Sequence, residues 1–233
     1  MVEYAPVQTQ STTWIVIPAY NESRIIAATI EGLREQFCNI VVVDDFSQDA
    51  TGEFASAAGA HVCRHPLNLG QGAALATGIA YALQNGAEIV VTFDADGQHD
   101  PADAQRMIDI LIDENYDVVL GSRFLGTAPG LTRRRRFLLK TALAFTRFNT
   151  GLRLTDTHNG LRVISRNAAA AIQLRQNRMA HASEFLDEIA RLKLRYREAP
   201  CRIAYTDYSR EKGQSMFGAL AVLRDLAIER LQK

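Results

Sequence analysis

The 233-residue chain is poor in cysteine: Cys38, Cys63 and Cys201 lie far apart, and none belongs to a C-x-x-C pair. That argues against a disulfide framework and a thiolate zinc site, and a reducing cytosol is the simplest setting. Net charge is also missing, with 26 acidic and 26 basic residues. Nothing therefore suggests a chain-wide basic surface for nucleic acid. The N-terminus has no basic start and apolar core of the signal-peptide kind. No uninterrupted apolar run reaches the roughly 18 residues of a spanning helix, and Lys140 and Arg147 break the best candidate. Internal repeats and low-complexity linkers are absent. His61, His65, His99 and His181 show no metal-ligand spacing with one another. The turn after the first apolar run lacks G-x-G-x-x-G, which argues against a dinucleotide-binding dehydrogenase.

What is present is a hydrophobic content of 47%, enough for a sizeable core. Residues 1–11 read as a flexible leader. Beyond them, short apolar runs alternate with helical patterns. "WIVIP", "NIVVVDD", "AHVCRH", "EIVVTFD" and "YDVVLGS" read as strands. Between them, "NESRIIAATIEGLREQF", Gly52 to Ala58, "GQGAALATGIAYALQNG" and Pro101 to Asp113 read as helices. Strands apolar on both faces, alternating with helices, predict a mostly parallel sheet covered on both sides. After Ser122 the pattern loosens. A basic and apolar helix, "TRRRRFLLKTALAFTRFNTGL", precedes the strand "GLRVIS" and helices near 167–173 and 183–192. "LRYREAP" and "CRIAYTDY" read as a pair of strands, and Met216 to Lys233 as an amphipathic closing helix. One domain over 12–233 is expected, in halves 12–122 and 123–233.

In "VVTFDADGQHD" an apolar strand ends in Asp94, Asp96 and Asp100. Ligands of parallel sheets sit beyond the carboxyl ends of the strands, so these acids, like Asp44 and Asp45, face a shared cleft. Asp100 before Pro101 suits a helix cap. Asp94 and Asp96 repel each other unless a cation lies between them. Hard carboxylate oxygens suit Mg²⁺ or Mn²⁺, with Gln98 as a further oxygen donor and substrate phosphate completing the shell. A phosphatase with an aspartyl nucleophile is the alternative, because an Asp pair after a parallel strand also serves that chemistry.

The ordered blocks "VIPAYNES", "VVVDDFSQDAT", "NLGQGAALATG" and "VVTFDADGQHDP" decide between them. With "GSRF" and "LTDTHNGLRVIS", they resemble the family-2 glycosyltransferases, in the branch of dolichol-phosphate mannose synthase. The resemblance implies a GT-A fold, a Rossmann-like three-layer α/β sandwich. It also implies a nucleotide-diphosphate sugar as donor, Mg²⁺ or Mn²⁺, and inversion at the anomeric carbon. Carried over by position, Pro18, Tyr20 and Glu22 form the first nucleotide-binding loop. Asp45, with Asp44 beside it, reads a base edge. Gly70 and Gly72 let the backbone approach the donor. Asp94, Ala95 and Asp96 meet donor phosphate, with Asp94, Asp96 and Gln98 as the metal set and Asp96 as a catalytic residue.

On the acceptor side, the resemblance implies a lipid phosphate or glycan precursor. Arg123, Arg133, Arg136, Asp156, Arg162 and Arg210 are its candidate contacts, and Glu184 is the candidate general base. "YSREKGQSM" resembles the family's late R-x-x-G-x-S-K segment, except that Met216 stands in the lysine position. That departure keeps a non-catalytic nucleotide-sugar-binding partner of a membrane protein among the readings. Arg133 to Arg136 beside "FLLKTALAF" suit an anionic membrane surface. The expected location is the cytoplasmic face of a membrane, by peripheral contact, through a membrane-protein partner, or as a homo-oligomer. Nucleic acid is not an expected partner.

Overall fold

The computed structural model describes residues 11–129, 131–157, 159–176 and 181–204. The leader up to residue 10, His158, the segment with Arg210 and Met216, and the closing helix lie outside the described residues. In chain order the elements are β1 (Thr13–Ala19), α1 (Ile26–Arg34), β2 (Asn39–Asp44), α2 (Thr51–Ala57) and β3 (His61–Arg64). Then come α3 (Gln71–Gln84), β4 (Ile89–Thr92), α4 (Pro101–Asp113), β5 (Val118–Thr127) and α5 (Arg133–Thr150). β6 (Arg162–Ser165), α6 (Arg166–Ala171), α7 (His181–Leu192) and β7 (Tyr196–Arg202) complete them.

Alternation along β1 explains the layers. Ile15 and Ile17 pack on one sheet face with Ile26, Ile30 and Leu33 of α1 and Met107, Ile108 and Leu111 of α4. Trp14 and Val16 pack on the other with Leu75, Ile79 and Ala82 of α3, Ala168 of α6 and Phe185 and Ile189 of α7. Burying β1 on both faces requires helices on both, which makes a three-layer sandwich. Gly78 lets α3 lie close on the sheet, since a Cβ there would stand 2.3 Å from Val16 Cγ1.

The strand order is β3-β2-β1-β4-β6-β5-β7. β1 pairs in parallel with β2 and β4, β2 with β3, and β5 with β7; β6 runs antiparallel to both neighbours. The chain moves outward from β1 through β2 to β3, then returns to β4 on the other side. A crevice opens at such a reversal, beyond the carboxyl ends of the strands. Because β6 is reversed, its beginning lies at the same rim as the ends of β4 and β5.

The structure departs from the sequence expectation at two places. α1 begins at Ile26 because "NESR" is drawn into a loop network: the Glu22 amide donates to Thr51 Oγ1 at 2.8 Å and the Asn21 amide to Ser47 Oγ at 2.9 Å. Asn21 also takes a positive φ of 54°, which no helix accepts. The expected pair of strands around Pro200 is one strand, β7, lying parallel to β5. β7 is the sheet's edge, where the missing N–H of a proline costs no ladder bond.

Candidate active site

A cleft of about 400 Å³ opens at the switch between β1 and β4. Pro18, Tyr20 and Glu22 line it from the loop after β1, and Asp45 from the end of β2. Asp94, Ala95, Asp96, Gln98 and His99 line it after β4, Gln71 and Ala74 from α3, Arg123 from β5 and Gly160 before β6.

Asp44 and Asp45 are adjacent and point to opposite faces, as strand geometry demands. Asp44 turns away from the cleft: its Oδ1 accepts from the Ser47 amide at 2.8 Å, and its Oδ2 lies 3.5 Å from Arg64 Nε. Asp45 faces the cleft and holds the next loop. Its Oδ1 accepts from the Leu69 amide at 2.9 Å and its Oδ2 from the Gly70 amide at 2.7 Å. Gly70 sits at φ 95°, ψ 163°, a conformation only glycine adopts easily. It is the residue before α3, whose N-terminus therefore opens at the cleft, where anions are favoured. Gly72 serves packing instead: a Cβ there would stand 1.9 Å from the Gln176 carbonyl oxygen.

The β4 loop turns back on itself. His99 Nε2 lies 3.0 Å from Asp94 Oδ2, and the Gln71 side-chain amide 3.4 Å from Asp94 Oδ1. Gly160 leaves room for this carboxylate, for a Cβ there would stand 2.2 Å from both its oxygens. Burial pushes the Asp94 pKa up, but the bond and charge of His99, with Arg162 and His181 behind, outweigh it and hold the group below the usual carboxylate range. Asp96 behaves oppositely. Burial and then the Asp94 charge push it up to about 6. The Gln98 side-chain amide donates to Asp96 Oδ2, so Gln98 acts here on the carboxylate. Asp100 caps α4 by accepting from the Ala102 amide at 2.9 Å.

These acids fit a divalent cation. They offer hard oxygen donors, and burial together with the Asp94 charge raises Asp96, a cost that a cation between the two acids offsets. No group of three or more His, Cys, Asp or Glu forms a closed cage among the described residues. An ion here would complete its shell with water and substrate phosphate, the habit of Mg²⁺.

Arg123 is fixed by a buried ion pair, its Nε 2.6 Å from Asp156 Oδ2, which also accepts from the Arg123 amide at 3.1 Å. Asp156 is thus a clamp on Arg123. Its own amide donates to Glu198 Oε1 at 3.0 Å, so β7 holds the clamp in turn. Arg123 lines both the cleft and a second cavity of about 590 Å³, shared with Phe124, Leu131, Arg136 and Arg202. Arg133 stands exposed at the start of α5.

Glu184 and Arg162 are further expected site residues that lie away from the cleft. Glu184 accepts from the backbone amides of Arg175 at 2.9 Å and Gln176 at 2.8 Å, so its carboxylate fastens the segment before α7. Arg162 is buried, its guanidinium 4.3 Å over the Phe185 ring and its Nε donating to the Asn159 carbonyl at 3.3 Å. It puts positive charge behind Asp94, while burial lowers its own pKa to about 10. His99, Gln71 and Glu198 were missed. A search for histidines spaced against other histidines overlooks a histidine that returns to an aspartate in its own loop.

Residues 14–172 match the model for glycosyl transferase family 2. The chain is 31% identical to the UDP-N-acetylglucosamine–dolichyl-phosphate N-acetylglucosaminyltransferase of Methanococcus voltae, over 94% of this chain and 96% of that one. It is 33% identical to the polyprenol monophosphomannose synthase of Mycolicibacterium smegmatis, over 73% and 68%. Among solved structures, it superimposes with a TM-score of 0.68 on glucosyl-3-phosphoglycerate synthase from Mycobacterium tuberculosis in complex with Mn²⁺, uridine diphosphate and phosphoglyceric acid. That pair is 22% identical and covers 96% of this chain and 82% of the other.

Proposed function

The chain belongs to glycosyl transferase family 2, and from that premise we propose that it moves a hexose from a nucleotide-diphosphate sugar to a polyprenyl phosphate at the cytoplasmic face of a membrane. Residues 12–122 bind the donor and 123–233 the acceptor. Neither curated relative named above is a phosphatase.

The observation that carries the reading is the position of Arg123, shared by two cavities. One holds the acidic pair and the first-loop residues. The other is lined by Arg123, Arg136 and Arg202 together with mostly apolar side chains, and among the described residues no carboxylate lines it. A hydroxyl acceptor needs a base to take its proton, whereas a phosphate is already anionic. With three arginines and, among the described residues, no base, this cavity suits a phosphate acceptor. The acceptor oxygen forms its bond to the anomeric carbon as the bond to the nucleotide diphosphate breaks, with inversion. When bound at Asp94 and Asp96, a Mg²⁺ or Mn²⁺ ion supplies charge neutralisation for the departing diphosphate.

The membrane reading rests on α5. Its sequence carries Arg133 to Arg136, Lys140 and Arg147 and no acidic residue. Phe137 is 73% exposed and Phe148 81%. They share a helix face, and an exposed apolar stripe on a purely basic helix suits an anionic bilayer. Among the described residues no helix is long and apolar enough to cross a membrane.

The test is incubation with a panel of radiolabelled nucleotide-hexoses, Mn²⁺ and a polyprenyl phosphate in anionic vesicles. The expected product is a lipid-extractable sugar released by mild acid. Tight nucleotide binding with no transfer from any donor would instead favour the non-catalytic binding partner.

A further inference from the structure

The parallel register of β2 and β3 sets Arg64 beside Asp44. One step further it sets His65 beside Asp45, with the His65 amide donating to the Asp44 carbonyl at 2.9 Å. The His65 ring is buried and bridges three elements. Its Nδ1 lies 2.7 Å from Asp45 Oδ1, and its Nε2 lies 2.9 Å from Thr77 Oγ1 on α3. Asp45 Oδ1 also takes the Leu69 amide, and Oδ2 takes the Gly70 amide.

A carboxylate offers about four acceptor positions. His65, Leu69 and Gly70 occupy all but one, and Asp45 lines the cleft. A carboxylate held this way is left with one free acceptor position, on Oδ2. It matches a base that presents a ring N–H on its edge, as uracil (N3) and guanine (N1) do and cytosine and adenine do not.

We propose that His65 is a positioning residue for donor selection. By fixing the Asp45 carboxylate from behind and anchoring it to α3 through Thr77, it makes Asp45 a single-site reader of the donor base. The inference rests on the reading of Asp45 as the residue that meets that base. His65 touches neither donor nor reacting atoms, so its loss acts on donor binding and base preference and leaves turnover at saturating donor alone.

The test compares two near-isosteric variants. Asparagine places its amide nitrogen near the position of Nδ1, so His65→Asn keeps the donor to Asp45 and loses the contact to Thr77. Glutamine reaches the position of Nε2, so His65→Gln keeps the Thr77 contact and loses the bond to Asp45. Calorimetric titration with UDP, GDP, CDP and ADP in Mn²⁺ measures affinity and base preference. Thermal melting checks the fold. Relative to wild type, His65→Gln should weaken the preferred nucleotide roughly tenfold, the scale of a hydrogen bond to a charged group. Its preference over the poorest nucleotide should narrow by a similar factor. His65→Asn should keep both close to wild type, and Asp45→Asn should lose the preference outright. Should Asp45→Asn lose it while the two His65 variants behave alike, the proposal is overturned and the reading of Asp45 survives. Should Asp45→Asn bind all four nucleotides as wild type does, both fall.

Discussion

Gly160→Ala is a small change with a large expected consequence. An ideal Cβ at this position stands 2.2 Å from both carboxylate oxygens of Asp94. Ordinary contact begins near 3.4 Å, so one side must give by about 1.2 Å, and a 1 Å misplacement at a reacting centre costs on the order of a hundredfold. The loop cannot easily yield, because the Gly160 carbonyl accepts from Thr92 Oγ1 at 2.6 Å. Asp94 is held on its far side by His99 and Gln71. Overpacking of this kind costs about 1–3 kcal/mol, and for a chain of this size each kcal/mol lowers Tm by about 2–4 °C. The variant should therefore melt a few degrees lower, stay folded at assay temperature and lose about two decades of turnover. Gly32→Ala is the control: it lies in α1, and its Cβ would meet nothing within 4 Å. It should keep wild-type turnover and gain about 0.5–1 kcal/mol. The assay is nucleotide release from the donor sugar with acceptor and Mn²⁺ present. Wild-type turnover in folded Gly160→Ala would refute the claim that the Asp94 carboxylate must stay where it is.

Removing the Arg123 side chain breaks a buried ion pair, taking away the guanidinium 2.6 Å from Asp156. Arg123→Ala should lose about 3–5 kcal/mol in urea unfolding, and Asp156→Asn noticeably less. The raised Asp96 carboxyl sets a pH dependence with a definite sign. The fold holds that proton more tightly than the unfolded chain does, so the contribution is present below about pH 4 and is lost as pH rises through about 6. In chelator, the stability of Asp96→Asn relative to wild type should grow across that window, and Mn²⁺ should stabilise wild type mainly above it. A stability difference that stays flat over the window would contradict the burial and Asp94 charge that raise Asp96. Phe137→Ser with Phe148→Ser should weaken sedimentation with anionic vesicles and leave nucleotide binding unchanged. Undiminished sedimentation would remove α5 from the membrane surface.

The first half of the chain is legible because β1, β2 and β4 are buried on both faces and its breaks fall at glycine, proline and aspartate. "WIVIP" and "NIVVVDD" can be little else, and the acids after each run mark the rim. Strand direction was less legible. Nothing in "GLRVIS" says that β6 is reversed, and that reversal is what brings Gly160 onto Asp94. The chain reads as two strands parted after Pro200 because a proline inside a strand is tolerated only at an edge, and an edge is a property of the whole sheet. Glu184 looked available because the two backbone amides that engage it belong to a segment with no sequence signature. His65 and Asp45 are 20 residues apart and meet only through the register of β2 and β3.

The central claim is that Asp94 and Asp96 together seat a divalent cation on the donor diphosphate. Anomalous scattering at the manganese edge, from a crystal grown with Mn²⁺ and a nucleotide diphosphate, tests it directly. The account predicts a peak within bonding distance of an oxygen of one of these carboxylates and of the diphosphate. Diphosphate bound in the cleft, with the manganese peak away from both acids and no water bridging them, would contradict it.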